Sequence, residues 1–316
     1  MNPYRAILDL GTNTFHLLIV SVSASSFEVV YKAEEFVKLG EDGLDKIGPS
    51  PFRRGLAQLK KYKQVIDRYN PDRIVAVGTA AIRKAINGDE FIEAAKSICP
   101  MDFRKISGDE EAGLIYLGVK QAVQMNHETS LLMDIGGGST EFILANSESI
   151  FWKQSFPLGA SELKQRFHTT EPITEKEVKH IIAYLEKELR PLTTAASRFN
   201  VIQLIGASGS FDSIASMIST NIAPKIFRTN PSFGIDVDQF YKIYKDLLSK
   251  DLAERKKIKG LIVFRAEMMV VAAILIQYVI EKLNITKIMQ SDYALKEGIL
   301  YTMLQSNDGY YKNKHG

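Results

Sequence analysis

Apolar and polar residues alternate in two stretches of this chain that follow the same plan. After Asp9 the runs HLLIVSV and FEVVYKA are separated by turn-forming residues, and after Asp134, 125 positions later, EFILA and SIFWKQSF repeat the arrangement. Short runs of this kind, rich in β-branched and aromatic residues, are typical of β-strands. Together with the apolar strand that ends at each aspartate, each stretch predicts a three-stranded β-meander.

Each predicted meander is followed by a helical pattern that leads into a further strand. FRRGLAQLKKYKQVIDRY precedes RIVAVG, and TEKEVKHIIAYLEKELRPL precedes VIQLIG, with the strands ending at Gly78 and Gly206, 128 positions apart. A repeat of this kind fixes the architecture. The sequence predicts two α/β domains of matching topology, at 1–124 and 125–316, with mixed sheets flanked by helices and polar turns facing a cleft between the domains. The last helix could pack back on the first domain.

The composition is that of an ordinary globular protein, with 45% hydrophobic and 24% charged residues among 316. The N-terminus lacks the basic start and long apolar run of a signal peptide, so we expect a cytoplasmic protein. The single cysteine, Cys99, excludes an internal disulfide and is interpreted as a buried apolar residue. The most apolar segment, 261–280, contains Arg265 and Glu267, and we predict a buried helix there rather than a membrane span.

The charge pattern is compatible with an anionic substrate. The formal net charge is +3, a mild bias that fits such a substrate without requiring one. One compact basic run, 254–259, is interpreted as a solvated face; it has no aromatic residues between its cations, and we expect no binding of duplex nucleic acid. The segment 261–280 leaves a homodimer open, although an intramolecular core explains it better.

A run of three glycines directly follows the first strand of the second repeat. Residues 136–138 place no side chain between the backbone N–H groups and a ligand, so these donors can converge on an oxyanion. The alternative is a plain tight hairpin turn, but similar turns at 11–14 and 206–210 favour a phosphate cradle. The absence of Walker A and G-x-G-x-x-G patterns disfavours P-loop and dinucleotide-binding folds. The candidate phosphate-binding residues are Gly136, Gly137, Gly138, Ser139, Thr12, Asn13, Ser208 and Gly209.

Four charged side chains near these turns are candidates for chemistry. Asp134 and Asp9, at the strand ends, could hold Mg²⁺ beside a bound phosphate or accept hydrogen bonds from the amides of the next turn, and Asp134 is the stronger candidate. Glu141 could position a water or the metal, or it could be a solvent-facing strand residue. Arg83 suits a forked grip on phosphate oxygens, with a salt bridge on the helix surface as the alternative.

A predicted helix start supplies a candidate general base. Ser107 and Glu110 have the spacing of a capping box, in which the two residues satisfy the first turn reciprocally. That role occupies Glu110 and leaves the adjacent Glu111 for general-base catalysis. The alternative for Glu111 is a solvated carboxylate in the first turn.

Seven motifs, in order, give the chain a family resemblance. DLGTNTFHLLI, GTAAIRKAIN, ISGDEEAGLIYLGV, DIGGGSTEF, SFPLGA, GASGS and SDYALKEG resemble those of the Ppx/GppA family of exopolyphosphatases and guanosine pentaphosphate phosphohydrolases, which have two duplicated actin/Hsp70/sugar-kinase-like (ribonuclease H-like) α/β domains. The resemblance implies Mg²⁺-dependent hydrolysis of a terminal phosphoanhydride of polyphosphate or pppGpp. It implies that Glu111 is the catalytic base. It assigns the phosphate and metal sites to Asp134, residues 136–139, Glu141 and Arg83, with Thr12 and Asn13 from the first domain.

The chain departs from this family at several points, two of which bear on the substrate. Gly113 stands where many members have arginine, and the chain ends without the C-terminal HD-type region of long members, so short substrates or low processivity are expected. An exopolyphosphatase is the favoured function, and a pppGpp phosphohydrolase would use the same site residues. Two other classes stay open: a kinase or ATPase of the same fold, and a noncatalytic sensor of polyphosphate or alarmone.

Overall fold

The chain folds into two compact units. The computed structural model describes residues 3–23, 27–222 and 230–305. One unit contains the described residues up to Glu111 and those from Ile299 onward, and the other contains Ala112–Gly298. This division lies within a helix, Gly108–Ala122, rather than in the polar loop at 124–129, and the domain limits 1–124 and 125–316 stay a prediction.

The first unit is built on a five-stranded mixed sheet. Its elements are β1 (Tyr4–Leu10), β2 (Thr14–Val22), β3 (Phe27–Phe36), α1 (Pro49–Tyr69), β4 (Arg73–Gly78), α2 (Ala80–Lys84), α3 (Gly88–Ile98), β5 (Asp102–Lys105) and the start of α4 (Gly108–Ala122). The sheet order is β3-β2-β1-β4-β5, in which β1, β2 and β3 are antiparallel and β4 and β5 run parallel to β1. In the core Phe91 packs edge-on against Phe15 and Phe52. Cys99 is buried in this core, as predicted, and burial raises the pKa of its thiol.

The second unit is built on a six-stranded mixed sheet. After α4 come β6 (Thr129–Ile135), β7 (Thr140–Ala145), β8 (Ile150–Phe156), α5 (Ala160–Phe167), α6 (Glu175–Glu188), α7 (Arg190–Ala196), β9 (Val201–Ala207), α8 (Ser208–Ile222), β10 (Ser232–Ile235), α9 (Val237–Ser249), α10 (Leu252–Arg255), α11 (Met269–Lys282), β11 (Ile288–Ser291) and α12 (Leu295–Gln305). The strand order is β10-β11-β9-β6-β7-β8. The meander β6, β7, β8 is antiparallel, as the alternation of apolar residues predicts.

The two sheets repeat one strand order. β3-β2-β1-β4-β5 corresponds to β8-β7-β6-β9-β11, and β10 adds an antiparallel edge strand beside β11. This confirms the duplicated α/β fold. The registers correct the alignment of the repeats, since Gly78 directly follows the residue that pairs with Asp9, whereas Ser208 directly follows the residue that pairs with Asp134. Ser208, rather than Gly206, is therefore the counterpart of Gly78.

The most apolar segment forms a buried helix over only part of its length. In α11 all residues from Met269 to Ile280 are buried, which confirms the buried helix. Before it, the chain makes successive turns, including a 3₁₀ turn at Val263–Arg265, because the amides of Leu261, Arg265 and Met268 each bond to the carbonyl three residues earlier. Among the described residues, no helix combines the length and apolar character that crossing a bilayer requires.

The interpretation of the basic run at 254–259 as a solvated face is wrong for one residue. Arg255 is fully buried, and its guanidinium pairs with the Glu171 carboxylate at 2.6 Å. The same carboxylate oxygen lies 3.6 Å from Nε2 of His168, whose side chain is inaccessible to solvent. Neither ring nitrogen of His168 has a hydrogen-bond partner among the described residues. Burial has the largest effect on His168 and lowers its pKa. The Glu171 carboxylate opposes this by a smaller amount, and the charge of Arg255 lowers the pKa further.

We expect the buried His168 to make the protein less stable in mild acid. Because its folded-state pKa lies below the ordinary value of 6.5, the unfolded chain binds more protons there, so the free energy of unfolding falls as the pH drops below about 6.5. The substitution His168→Leu should make this fall smaller between pH 7 and pH 5, measured by urea unfolding. The matched change at the exposed His127, His127→Leu, should leave it unaltered. An equal fall in wild type and His168→Leu would contradict this interpretation.

Candidate active site

The glycine loop between β6 and β7 is held by its carbonyl groups. Gly136 N–H donates to the Ser139 carbonyl at 2.9 Å, and the carbonyls of Gly136 and Gly137 accept hydrogen bonds from the first two amides of α5, at 2.9 and 3.0 Å. In a planar trans peptide the carbonyl and the N–H that follows it point in opposite directions. The N–H groups of Gly137 and Gly138 therefore point away from the start of α5, as successive amides do in anion-binding turns.

The loop between β1 and β2 is closed by an equivalent hydrogen bond, and its carbonyls are also held from outside. Gly11 N–H donates to the Thr14 carbonyl at 3.0 Å, the Thr12 carbonyl accepts from Gly40 N–H at 3.0 Å, and the Asn13 carbonyl accepts from the two amides that follow β3, both at 2.8 Å. By the same peptide geometry, the N–H groups of Asn13 and Thr14 point away from that segment. The two predicted turns thus share the hydrogen bond that closes the turn, whereas the carbonyls held from outside lie one residue later in the first loop than in the second.

Missing side chains allow the second loop to pack this tightly. A Cβ added at Gly159 would fall on the backbone of Gly137 and Gly138, and one at Gly136 would lie 3.0 Å from the Ser139 carbonyl oxygen. The glycine of the SFPLGA motif is therefore required because the backbone of the loop lies directly against it.

Asp134 lies at the end of β6, next to the glycine loop, and is buried. Its Oδ2 accepts a hydrogen bond from the Ser208 hydroxyl at 2.8 Å. Ser208 has a φ of 64°, an unusual left-handed conformation for a residue other than glycine, and it joins β9 directly to α8. Burial raises the pKa of Asp134, while the Ser208 hydrogen bond and the charges of Lys296 and Arg265 oppose that rise. The structure thus brings together two residues that the sequence assigned to separate turns.

Glu141 is a second buried carboxylate on the same face of the sheet. It pairs with Asp134 in the antiparallel register of β6 and β7, and directly paired residues place their side chains on one face. Its side chain accepts a hydrogen bond from the Ser155 hydroxyl at 2.7 Å, and only 1% of the residue is exposed. The alternative of a solvent-facing strand residue is therefore wrong. In the first unit the residue opposite Asp9 in the antiparallel register is His16, so the strand register places no second acid beside Asp9 there.

Glu111 is buried near the start of α4 and carries an ion pair. Arg83, on α2, donates from Nη1 to Glu111 Oε2 at 2.8 Å and to the Ile106 carbonyl at 2.9 Å. Glu111 is 7% exposed, so the alternative of a solvated first-turn carboxylate is wrong. Arg83 is therefore paired with the candidate base. Its salt bridge is partly buried and joins α2 to α4, so it differs from the predicted alternative of a salt bridge on the helix surface.

The adjacent Glu110 has a different environment. Its backbone N–H donates to the Ser107 hydroxyl at 3.0 Å, which is the half of the predicted capping box in which the serine accepts. Its carboxylate instead lies at the surface, where it pairs with Arg104 at 3.3 Å. Of the two neighbouring glutamates, only Glu111 is in a position where water is largely excluded.

Arg265 is a site residue that the sequence analysis did not assign. A Cβ added at Gly209 would fall within the guanidinium of Arg265, so this side chain lies directly on the first turn of α8. Its charge opposes the rise in the pKa values of both Asp134 and Asp212. The signal in the sequence was the glycine at 209, but its partner, 56 positions away, could not be identified from spacing.

Asp212 and Asp292 form a small acidic pair near Arg265. Both carboxylates accept hydrogen bonds from the Gln290 amide nitrogen, at 2.9 and 2.7 Å. Burial raises the pKa of Asp212 to about 6, against the opposing charge of Arg265. Within the described ranges, no three or more His, Cys, Asp or Glu side chains form a group that could hold a metal ion by themselves.

Comparison with known proteins identifies one family. The sequence profile of the Ppx/GppA phosphatase family matches residues 18–307. A solved exopolyphosphatase from Cytophaga hutchinsonii is 38% identical, with a TM-score of 0.93 over 96% of this chain and 98% of that one. A solved Ppx/GppA family member from Aquifex aeolicus has a TM-score of 0.81 at 23% identity, over 98% and 99% of the two chains, which supports the fold alone.

One curated relative is named for a different reaction from that of the exopolyphosphatase. A guanosine-5'-triphosphate,3'-diphosphate pyrophosphatase from Pseudoalteromonas atlantica is 30% identical over 98% of this chain. The present chain spans 61% of that relative's length.

We expect the Ser208 hydroxyl to hold the pKa of Asp134 down. The substitution Ser208→Ala removes the hydrogen bond that favours the ionised carboxylate, so the pKa of Asp134 should rise further. Carbon-13 NMR titration of the carboxyl group measures this, with Asp134→Asn identifying the resonance. Ser210→Ala, two residues further along the same helix, is the matched control and should leave the titration unchanged. If Ser208→Ala also leaves it unchanged, the hydrogen bond does not control Asp134.

Proposed function

This chain belongs to the Ppx/GppA phosphatase family, and from that premise we propose that it releases terminal orthophosphate from inorganic polyphosphate. The observation that carries the proposal is the buried Glu111 carboxylate, which Arg83 holds at 2.8 Å at the start of α4. A carboxylate shielded from water and fixed in one orientation is suited to accept a proton from an attacking water. The 38% identical exopolyphosphatase structure supports this choice of reaction class.

The terminal phosphate is held mainly by backbone donors. The N–H groups of Gly137 and Gly138, which point away from α5, bind its oxygens, and the Ser139 hydroxyl adds a further donor. In the first unit, the predicted loop at Thr12 and Asn13 offers the N–H groups of Asn13 and Thr14, and Ser208 and Gly209 are further candidate phosphate-binding residues of the second unit. These contacts are directed at phosphate oxygens and are independent of what lies further along the substrate.

The acidic residues beside the glycine loop fit a Mg²⁺ ion. Asp134 and Glu141 are buried neighbours on one face of the sheet, and Mg²⁺ is usually bound through one or two carboxylates together with substrate phosphates and waters. Asp134 and Glu141 would hold the ion, and Asp9 is a weaker candidate. When bound, the ion would offset the negative charge of the phosphates.

The chemical step needs few protein groups. Glu111 takes a proton from a water molecule as the water oxygen attacks the terminal phosphorus in line with the anhydride bond. That bond breaks, its oxygen leaves with the shortened chain, and orthophosphate is released. Arg83 keeps the Glu111 carboxylate oriented and adds positive charge near the reacting phosphate.

A pppGpp 5'-phosphohydrolase is the second candidate. It is favoured by the 30% identical pyrophosphatase relative, and it requires the same phosphate and carboxylate groups. The reaction breaks the same type of bond, so the two candidates differ in how the rest of the substrate is bound.

Replacement of the base should abolish turnover without abolishing binding. We expect Glu111→Gln to lower kcat for Mg²⁺-dependent phosphate release from polyphosphates of graded length by about 10²- to 10⁴-fold, because the amide cannot accept the proton. Binding of tripolyphosphate, measured by calorimetry, should persist. The neighbouring change Glu110→Gln removes an exposed carboxylate and should leave kcat near wild type. Full turnover in Glu111→Gln would eliminate Glu111 as the base, and unimpaired cellular function would favour a noncatalytic sensor.

The substrate test compares tripolyphosphate with pppGpp under the same conditions. The N–H groups assigned to the substrate are directed at phosphate oxygens rather than at a nucleoside. We therefore expect kcat/KM for polyphosphate to exceed that for pppGpp by roughly tenfold or more. The reverse order would establish the pppGpp phosphohydrolase. Binding of ATP with no phosphate release from either substrate would favour a kinase or ATPase of this fold.

A further inference from the structure

Arg255 is the largest fully buried side chain in the described part of the chain, and the proposed chemistry does not use it. Its neighbours in the basic run, Lys256, Lys257 and Lys259, are exposed. Moving a guanidinium out of water costs several kcal/mol, and well-packed apolar side chains often replace buried ion pairs without loss of stability. What an arginine supplies that an apolar residue cannot is a rigid fork of directed donors.

The fork of Arg255 ties three separate segments together. Nη2 pairs with Glu171 Oε1 at 2.6 Å, Nη1 donates to the Lys250 carbonyl at 2.7 Å, and Nε donates to the Ala266 carbonyl at 3.2 Å. Glu171 lies after α5, Lys250 directly follows α9, and Ala266 directly follows the 3₁₀ turn at Val263–Arg265. A side chain in the interior thus holds the carbonyl next to Arg265.

The turn that carries Arg265 depends on such external support. Within it the hydrogen bonds join residues only three apart, which is a weaker arrangement than a continued helix, and Val263 is 57% exposed. Contacts from outside include the Arg255 bond to the Ala266 carbonyl and the Ser161 hydroxyl, which lies 3.2 Å from the Met268 sulfur. Ser161 also donates its N–H to the glycine loop, so the turn and the loop share one neighbour.

We propose that Arg255 is a positioning residue that acts through Arg265. By fixing the Ala266 carbonyl, it holds the Arg265 guanidinium on the first turn of α8, where that guanidinium binds the phosphates of the substrate. The Glu171 carboxylate holds the far side of the fork and completes the support. The inference rests on the proposed function only in taking the ligand to be a polyphosphate anion.

A double-mutant cycle tests whether Arg255 works through Arg265. Arg255→Lys keeps the positive charge but loses the fork, and we expect it to raise KM for tripolyphosphate about tenfold with a smaller effect on kcat. Arg265→Ala should raise KM by at least as much. In the Arg265→Ala background, Arg255→Lys should add no further increase. Lys257→Ala, which removes an exposed cation from the same run, is the control and should leave KM unchanged.

Two outcomes would overturn the proposal. One is that the KM increases of the single variants multiply in the double variant, since Arg255 would then act independently of Arg265. The other is an unchanged KM in Arg255→Lys. If Arg255→Lys does not fold, Glu171→Gln replaces it in the cycle: it leaves the arginine in place and should raise KM in the same direction, again only when Arg265 is present.

A readout that needs no turnover separates this proposal from the proposed function. The charge of Arg265 opposes the raised pKa of Asp212, so displacement of the guanidinium in Arg255→Lys should raise that pKa further, measured by carboxyl NMR titration. Calorimetric binding of tripolyphosphate should weaken in parallel. If wild type releases no phosphate from any substrate, the proposed hydrolysis fails, while these two measurements still decide the role of Arg255.

Discussion

The hydrogen bonds that hold the loop carbonyls are the constraint on which the candidate site depends. In the second unit the start of α5 takes the carbonyls of Gly136 and Gly137, and in the first unit the segment after β3 takes those of Thr12 and Asn13. A peptide plane cannot turn its carbonyl and the following N–H to the same side. Hydrogen bonds that hold the carbonyls from one direction therefore set the direction of the amides in the absence of a ligand, so an anion bound there would need no reorganisation of the loop.

Buried charge is the second common feature of the site, and each buried carboxylate has a specific polar partner. Ser208 donates to Asp134, Ser155 donates to Glu141, and Arg83 pairs with Glu111. Without such partners a buried ionised group is strongly destabilising. Apolar residues at these positions would avoid that cost, so the buried carboxylates support the proposed chemistry rather than a role in packing alone.

Local pattern predicted the fold and the loops because both depend on short-range order. The strand alternation after Asp9 and Asp134 identified two equivalent meanders, and the capping spacing at Ser107 distinguished Glu111 from Glu110. The environment of single side chains depends instead on which distant segments meet. Glu141 looked like any alternating strand residue, Arg255 looked like its exposed neighbours, and the contact of Arg265 with Gly209 joins residues from a turn and a helix that spacing alone does not relate.

The two repeats share a fold but are not chemically equivalent. The sheets share a strand order, yet the neighbour of Asp134 across the register is Glu141, whereas that of Asp9 is His16. A polyanion bound at the glycine loop would lie near two buried carboxylates, and like charges repel more strongly where water is scarce. Lys296 and Arg265, whose charges already oppose the raised pKa of Asp134, offset part of that repulsion. A divalent cation shared between the carboxylates and the phosphates would offset the rest, so the acidic pair favours the second repeat as the place where metal and substrate charge are combined.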